Sequence, residues 1–134
     1  MEGPGSREPE RPRLRLARIR RITGGDAIRA LVRRGKRSKT AHLDVFASAS
    51  PAVRSRVAIV VPKHGHEIVA RNRLKRRLRE IVRTELLPRL DGAAAVEDVL
   101  VRARAEAYRA RFADLREELV HWIDRRWPDA SRSR

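Results

Sequence analysis

Apolar and polar residues alternate along this chain with two different periods, and the changes of period mark out six elements. In residues 26–34 (DAIRALVRR), Ala27, Ile28, Leu31 and Val32 recur at helical spacing, with Gly24 and Gly25 ahead and Gly35 at the C-cap position, which predicts a short first helix. Residues 42–48 (HLDVFAS) alternate one by one instead. Leu43, Val45 and Ala47 would face a core while Asp44, Phe46 and Ser48 point outward, the signature of a strand. After a loop containing Pro51, residues 56–62 (RVAIVVP) form a near-continuous β-branched run suited to a strand buried on both faces, and residues 98–103 (DVLVRA) read as another strand. Between these two lies a helix from about residue 70 to 87, ended by Pro88. A last helix over about 110–126 carries Phe112, Leu115, Leu119, Trp122 and Ile123 on its apolar side. The order α-β-β-α-β-α predicts an α+β fold in which three helices pack on a small mixed sheet.

The ends lack such patterning. Residues 1–17 read as a disordered leader and basic arm, residues 18–127 as a single domain and residues 128–134 as a frayed tail. The basic run continues through residue 22 (RLRLARIRRI, 13–22) and is suited to bind phosphate as an extended arm. With 41% hydrophobic residues but only five aromatics, the core must be small and mostly aliphatic. The chain has no cysteine, which excludes disulfides, thiolate metal sites and a cysteine nucleophile. There is no apolar run long enough for a membrane span and no apolar stretch of the signal-peptide kind at the start, so the expectation is a cytoplasmic protein with no membrane partner.

Charge changes the picture most. The formal net charge is +16, and residues 11–83 hold 22 basic and only four acidic residues, whereas the remainder is nearly balanced. An excess confined to one contiguous stretch points to a polyanionic partner, nucleic acid first. Its densest part is residues 71–83 (RNRLKRRLREIVR). At about 100° per residue, Leu74, Leu78, Ile81 and Val82 gather on one face, while Asn72, Lys75, Arg76, Arg79 and Arg83 gather about 135° away. A helix held by its apolar face would thus carry a ladder of cations able to follow a phosphate backbone. A merely solvated face would interleave acids at i+4, and here only Glu80 does so.

Arg71-Asn72-Arg73-Leu74-Lys75-Arg76 matches the signature R-N-R-x-K-R of the bacterial ribonuclease P protein component. The resemblance extends over roughly residues 18–125: RITGGDAIRALVRRG is similar to the family's opening helix, RVAIVVPK to its central strand, and DVLVRA with FADLREEL to its last strand and helix. It implies a ribosomal-protein-like fold of about four strands with a left-handed βαβ crossover. It also implies a subunit rather than an enzyme in itself. A catalytic RNA, expected in a 1:1 complex, removes the 5′ leader of precursor tRNA with Mg2+ bound mainly through that RNA, so the protein carries no catalytic residue and no metal of its own. By the family pattern Lys63, Arg71, Asn72, Arg73, Lys75, Arg76, Arg79 and Arg83 face the RNA subunit. The leader would lie in a cleft between the first helix and the sheet, at Phe46, Ile28, Val32, Asp44 and Ser48. Phe46 stands where the family carries a stacking aromatic, whereas Ile28 and Val32 replace frequent phenylalanines. The loop before the motif, Pro62-Lys63-His64-Gly65-His66-Glu67, departs from the family's S-K-K-x-G-N, and two histidines without a third ligand read as a polar turn or phosphate donors rather than a metal site.

Other readings compete. A general RNA-binding or ribosomal protein would also use a cationic helix on a small sheet. A DNA-binding protein laying the helix in a major groove would want a dimer interface, and no heptad repeat supplies one; the free protein is expected to be monomeric. A protein-only nuclease would need convergent carboxylates or histidines, but Asp26, Asp44, Glu67 and Glu80 fall on different elements.

Overall fold

The computed structural model describes residues 18–128, so the expected leader, most of the basic arm and the frayed tail lie outside the described residues. Helix α1 (Gly25–Arg34) is followed by strands β1 (Lys36–Lys39), β2 (Leu43–Ala49) and β3 (Arg56–Val60). Next come α2 (Ile68–Ile81), a π-helical turn (Val82–Leu86) and α3 (Leu87–Asp91), then β4 (Glu97–Ala103), a 3-10 turn (Ala105–Arg109) and α4 (Phe112–Arg126). The sheet runs β1-β2-β4-β3, antiparallel except for the β3–β4 pair. The α+β class with one small mixed sheet is therefore as the patterning predicts.

Side-chain alternation divides the core in two. Leu43, Val45 and Ala47 of β2, Val57 of β3, and Val99 and Val101 of β4 point to the face covered by α2, α3 and α4, which return Leu74, Leu78, Ile81, Leu90, Leu115, Leu119 and Trp122. On the other face Phe46, Ala58 and Leu100 meet Leu31 of α1 together with Ile22. Each fully buried aliphatic side chain contributes about 1.5–3 kcal/mol relative to exposure. Both faces of β3 and β4 are thus covered, which is why their sequences run almost continuously apolar.

Three elements differ from expectation. Strand β1 has the sequence KRSK, with no apolar alternation; it is a strand because it pairs in register with β2, Arg37 opposite Phe46 and Lys39 opposite Asp44. Pro88 does not end its helix. In the π-turn the Leu87 amide donates to the Val82 carbonyl, five residues back, and this wide turn lets Pro88 enter the first turn of α3 where its missing N–H is not needed. The third is the end of the basic arm. Residues 18–22 are tied down rather than extended: Arg20 is buried, its Nε donates to the Ser55 carbonyl at 2.9 Å and its guanidinium pairs with Asp91, while the Ile22 amide donates to the Val57 carbonyl at 2.9 Å.

Gly35 closes α1 for reasons of space. Its amide donates to the Leu31 carbonyl at 2.7 Å, and a Cβ there would lie 2.6 Å from that same oxygen. The chain can then turn directly from α1 into β1. At the other end of the molecule, buried Glu97 accepts from Arg126 Nε at 2.8 Å and from Trp127 Nε1 at 2.9 Å, fixing the end of α4 to the start of β4.

Candidate nucleic-acid interface

Helix α2 is seated by Leu74, Leu78 and Ile81, and this fixes which way every other side chain on it can point. Asn72, Arg76 and Arg79 are exposed and Lys75 is half-buried on the flank that faces the 21–23 segment and β3. Arg79 shares a groove of about 150 Å³ with Arg21, Thr23 and Ile59. Lys75, Arg76 and Arg79 form no ion pair among the described residues, so their charge is directed to solvent or to a ligand.

The remaining residues expected to face RNA, Arg83 from the ladder and Arg71, Arg73 and Lys63 from the family pattern, are placed differently. Arg71 Nε donates to the Val61 carbonyl at 2.8 Å, joining the start of α2 to the end of the β3 segment, so this guanidinium is partly spent on structure. Arg83 pairs with Glu80 at 2.8 Å. Arg73 lies on the opposite flank, one turn from Arg77, a residue outside the predicted ladder although i, i+4 spacing makes the two neighbours. Lys63 is exposed in the turn ahead of α2. That turn passes through left-handed backbone at both His64 (φ 48°) and Gly65 (φ 82°), a conformation glycine adopts without strain. His66 then stacks on Tyr108 with ring centroids 3.8 Å apart.

The expected leader cleft is altered by burial. Phe46 does lie on the sheet face opposite Val45, as alternation requires, but α1 covers it and leaves it 3% exposed, with Ile28, Val32 and Val60 packed around. The Arg102 guanidinium sits 5.0 Å from the ring centroid. The expectation of an outward-facing stacking platform at Phe46 is thus corrected: Phe46 is a core residue, and Ile28 and Val32 are half-buried beside it. Ser48 lies beyond this cluster, half-buried and in register with Asp98.

Asp44 is enclosed as well. Arg37 and Arg102 each donate to its carboxylate at 3.2 Å. Burial works to raise its pKa, but the hydrogen bonds and charges of Arg102 and Arg37 together hold the carboxyl below the ordinary value of 3.8. Asp44 thus holds the guanidiniums of Arg37 and Arg102 in place. Because its folded pKa is depressed, its stabilising effect is complete above pH 3.8 and fades as pH falls through the lower folded value. Asp44→Asn is expected to cost about 1–3 kcal/mol at pH 7 in denaturant titration, with the deficit shrinking below pH 3.8. A deficit independent of pH would contradict the ion-pair account.

The geometry is that of a cationic helix edge beside a sheet, in a chain similar in sequence and fold to known proteins. The family model described as Ribonuclease P matches residues 16–126. The ribonuclease P protein component of Syntrophobacter fumaroxidans is 33% identical over 100 residues, covering 75% of this chain and 82% of that protein. That of Thermus oshimai is 38% identical over 104 residues, covering 78% of this chain and 62% of that protein. The solved structure of the RNase P protein from Thermotoga maritima superposes with a TM-score of 0.65 at 26% identity, over 78% of this chain and 96% of that one. By sequence match and by fold, the chain belongs to the ribonuclease P protein family.

Proposed function

We propose that this chain is the protein subunit of a ribonuclease P, docking on the catalytic RNA through the outer flank of α2 and assisting removal of the 5′ leader from precursor tRNA. The observation that carries the reading is the row Asn72, Lys75, Arg76 and Arg79. These are donors on one helix edge, their cations without ion-pair partners among the described residues, and Arg79 at the end of the row shares a groove with Arg21. Such a row neutralises successive phosphates, giving affinity that falls steeply with salt and carries little base specificity.

In this reading the leader crosses the rim of the α1–sheet cleft. Ile28 and Val32 offer aliphatic contact there, and Arg37 and Arg102, oriented by Asp44, meet phosphates. Phe46 supports this rim from below. The protein's residues bind and orient; bond cleavage is assigned to the RNA and its magnesium ions. Asp44, Glu80, Glu97 and Asp98 are each engaged by arginine, so these carboxylates serve the fold. A 1:1 complex in the cytoplasm, formed from a monomeric free protein, belongs to the same proposal.

The test is cleavage of a precursor tRNA by the partner RNA at low magnesium. Adding the protein is expected to restore correct 5′ processing, and the protein alone to leave the substrate intact. If the RNA's cleavage is indifferent to the protein, general RNA binding replaces this reading. Cleavage by the protein alone would relocate the chemistry.

A further inference from the structure

The other flank of α2 borders a cavity of about 450 Å³, within the range of about 300–1,000 Å³ typical of small-ligand sites. Arg73 and Arg77 line it from α2, and Arg109 and Arg111 from the segment leading into α4. His66 and Phe112 stand at its sides over an apolar floor of Ala70, Leu74 and Ala110. No carboxylate lines it. Asp114, in the first turn of α4, lies 3.7 Å from Arg111.

The lining carries an excess of positive charge, offset in part by Asp114. Four arginines line the cavity, which borders the start of α4, the end of a helix where the backbone dipole concentrates positive charge. Residue Arg111 occupies the N-cap, where serine, aspartate or asparagine would normally accept from the first amides, and it makes no side-chain cap. An anion in the cavity would offset the charge of the arginines that line it, and the Phe112 and Ala113 amides, unlike that of Asp114, which donates to the Arg111 carbonyl at 3.0 Å, lie at the helix end beside it.

The cavity also offers flat surfaces. Tyr108 is held by its hydroxyl, which donates to the Pro62 carbonyl at 2.7 Å, and His66 lies on its ring at an interplanar angle of 6°. His66 is itself exposed, and Phe112 is 39% exposed although it belongs by sequence to the apolar side of α4. Phosphate donors beside a two-ring stack suit a nucleotide.

We propose that this pocket takes one unpaired nucleotide of a single-stranded RNA segment, its phosphate held by Arg73, Arg77, Arg109 and Arg111 and its base stacked on His66. The proposal rests on the RNA-binding role proposed for α2 and adds a second contact on the far side of that helix, away from Arg76 and Arg79.

The full chain would be titrated with 5′-phosphorylated pentauridylate, end-labelled for fluorescence anisotropy, over a series of salt concentrations. Arg109→Gln with Arg111→Gln is expected to weaken binding at least about tenfold and to reduce the salt slope by about one to two units. His66→Ala is expected to weaken it about tenfold with the slope unchanged, the mark of lost stacking. Arg125→Gln, in the last turn of α4 and outside both the pocket and the α2 row, is expected to retain the affinity. The substituted positions are all exposed, and unchanged thermal unfolding would show that the variants fold. If the oligonucleotide binds equally well to the Arg109/Arg111 and His66 variants, or does not bind the wild type, the pocket proposal falls. If inorganic phosphate competes as well as the oligonucleotide and His66→Ala has no effect, the nucleotide assignment is overturned in favour of a simple anion site. None of these outcomes touches the cleavage assay, which judges the subunit role separately.

Discussion

Replacing Arg76 and Arg79 together with alanine is expected to weaken binding to the partner RNA at least about a hundredfold near physiological salt. Hydrogen bonds to charged groups contribute about 1.5–3 kcal/mol each, and two are removed. Both side chains are exposed and form no ion pair among the described residues, so the thermal midpoint should stay close to wild type while affinity collapses. The salt dependence reports whether phosphate is what these two arginines touch. Each lost contact lowers the log-log slope by about 0.7–0.9, so the double variant should show a slope shallower by about 1.5. Filter binding at four salt concentrations gives the slope directly. A large loss of affinity with an unaltered slope would mean that these arginines act through something other than phosphate.

Phe46→Ala is expected to destabilise the fold by about 3–5 kcal/mol. Against a typical domain stability of about 5–15 kcal/mol, that would leave much of the population unfolded in a weakly stable background. The cause is local: the ring fills the space between α1 and the sheet, and its removal leaves Leu31, Leu100 and Ala58 facing a void. Loss of the ring also removes the cation–π contact of Arg102, an arginine that Asp44 otherwise holds at the rim. Phe46→Leu, which keeps most of the volume, should cost far less. Urea denaturation of the two variants decides the matter. A Phe46→Ala protein as stable as wild type but deficient in leader binding would restore the ring to the surface.

Phe46 also shows where sequence reading reaches its limit. Alternation along β2 tells which side of the strand each residue takes, and it is right for all of Leu43, Val45, Phe46 and Ala47. It does not tell whether that side is covered, because the cover comes from α1, whose own apolar stripe is only ten residues long and partly exposed. The β-branched strands β3 and β4 and the seat of α2 were legible because each is fixed by apolar residues in its own segment. Strand β1 was not, since KRSK owes its conformation to the backbone of β2. Pro88 misleads for a related reason: a π-turn five residues long is invisible to a rule that treats proline as a stop.

The candidate site divides in the same way. The helical wheel separates Asn72, Lys75, Arg76 and Arg79 from the apolar face without any knowledge of the rest of the chain. The pocket on the far flank joins Arg73 and Arg77 to Arg109 and Arg111, residues more than thirty positions apart in sequence, through the packing of α2 beside the turn before α4. Spacing within one segment could suggest half of it. The engagement of Arg71 with the Val61 carbonyl and of Arg83 with Glu80 likewise needs the folded backbone to be seen.

The two margins of the sheet have a consequence for how copies of the chain meet each other. A four-stranded sheet leaves two outer strands whose unpaired amides and carbonyls could template growth by a strand from another molecule, a common start of aggregation. Here β1 presents Lys36, Arg37 and Lys39 along one margin, so an approaching copy would bring like charge against like charge. At the other margin β3 already holds the 21–22 segment, through the Arg21–Val57 bridge and the Ile22 amide. One border repels and the other is taken, and β-pairing between copies is thereby opposed on both sides even before any RNA is bound.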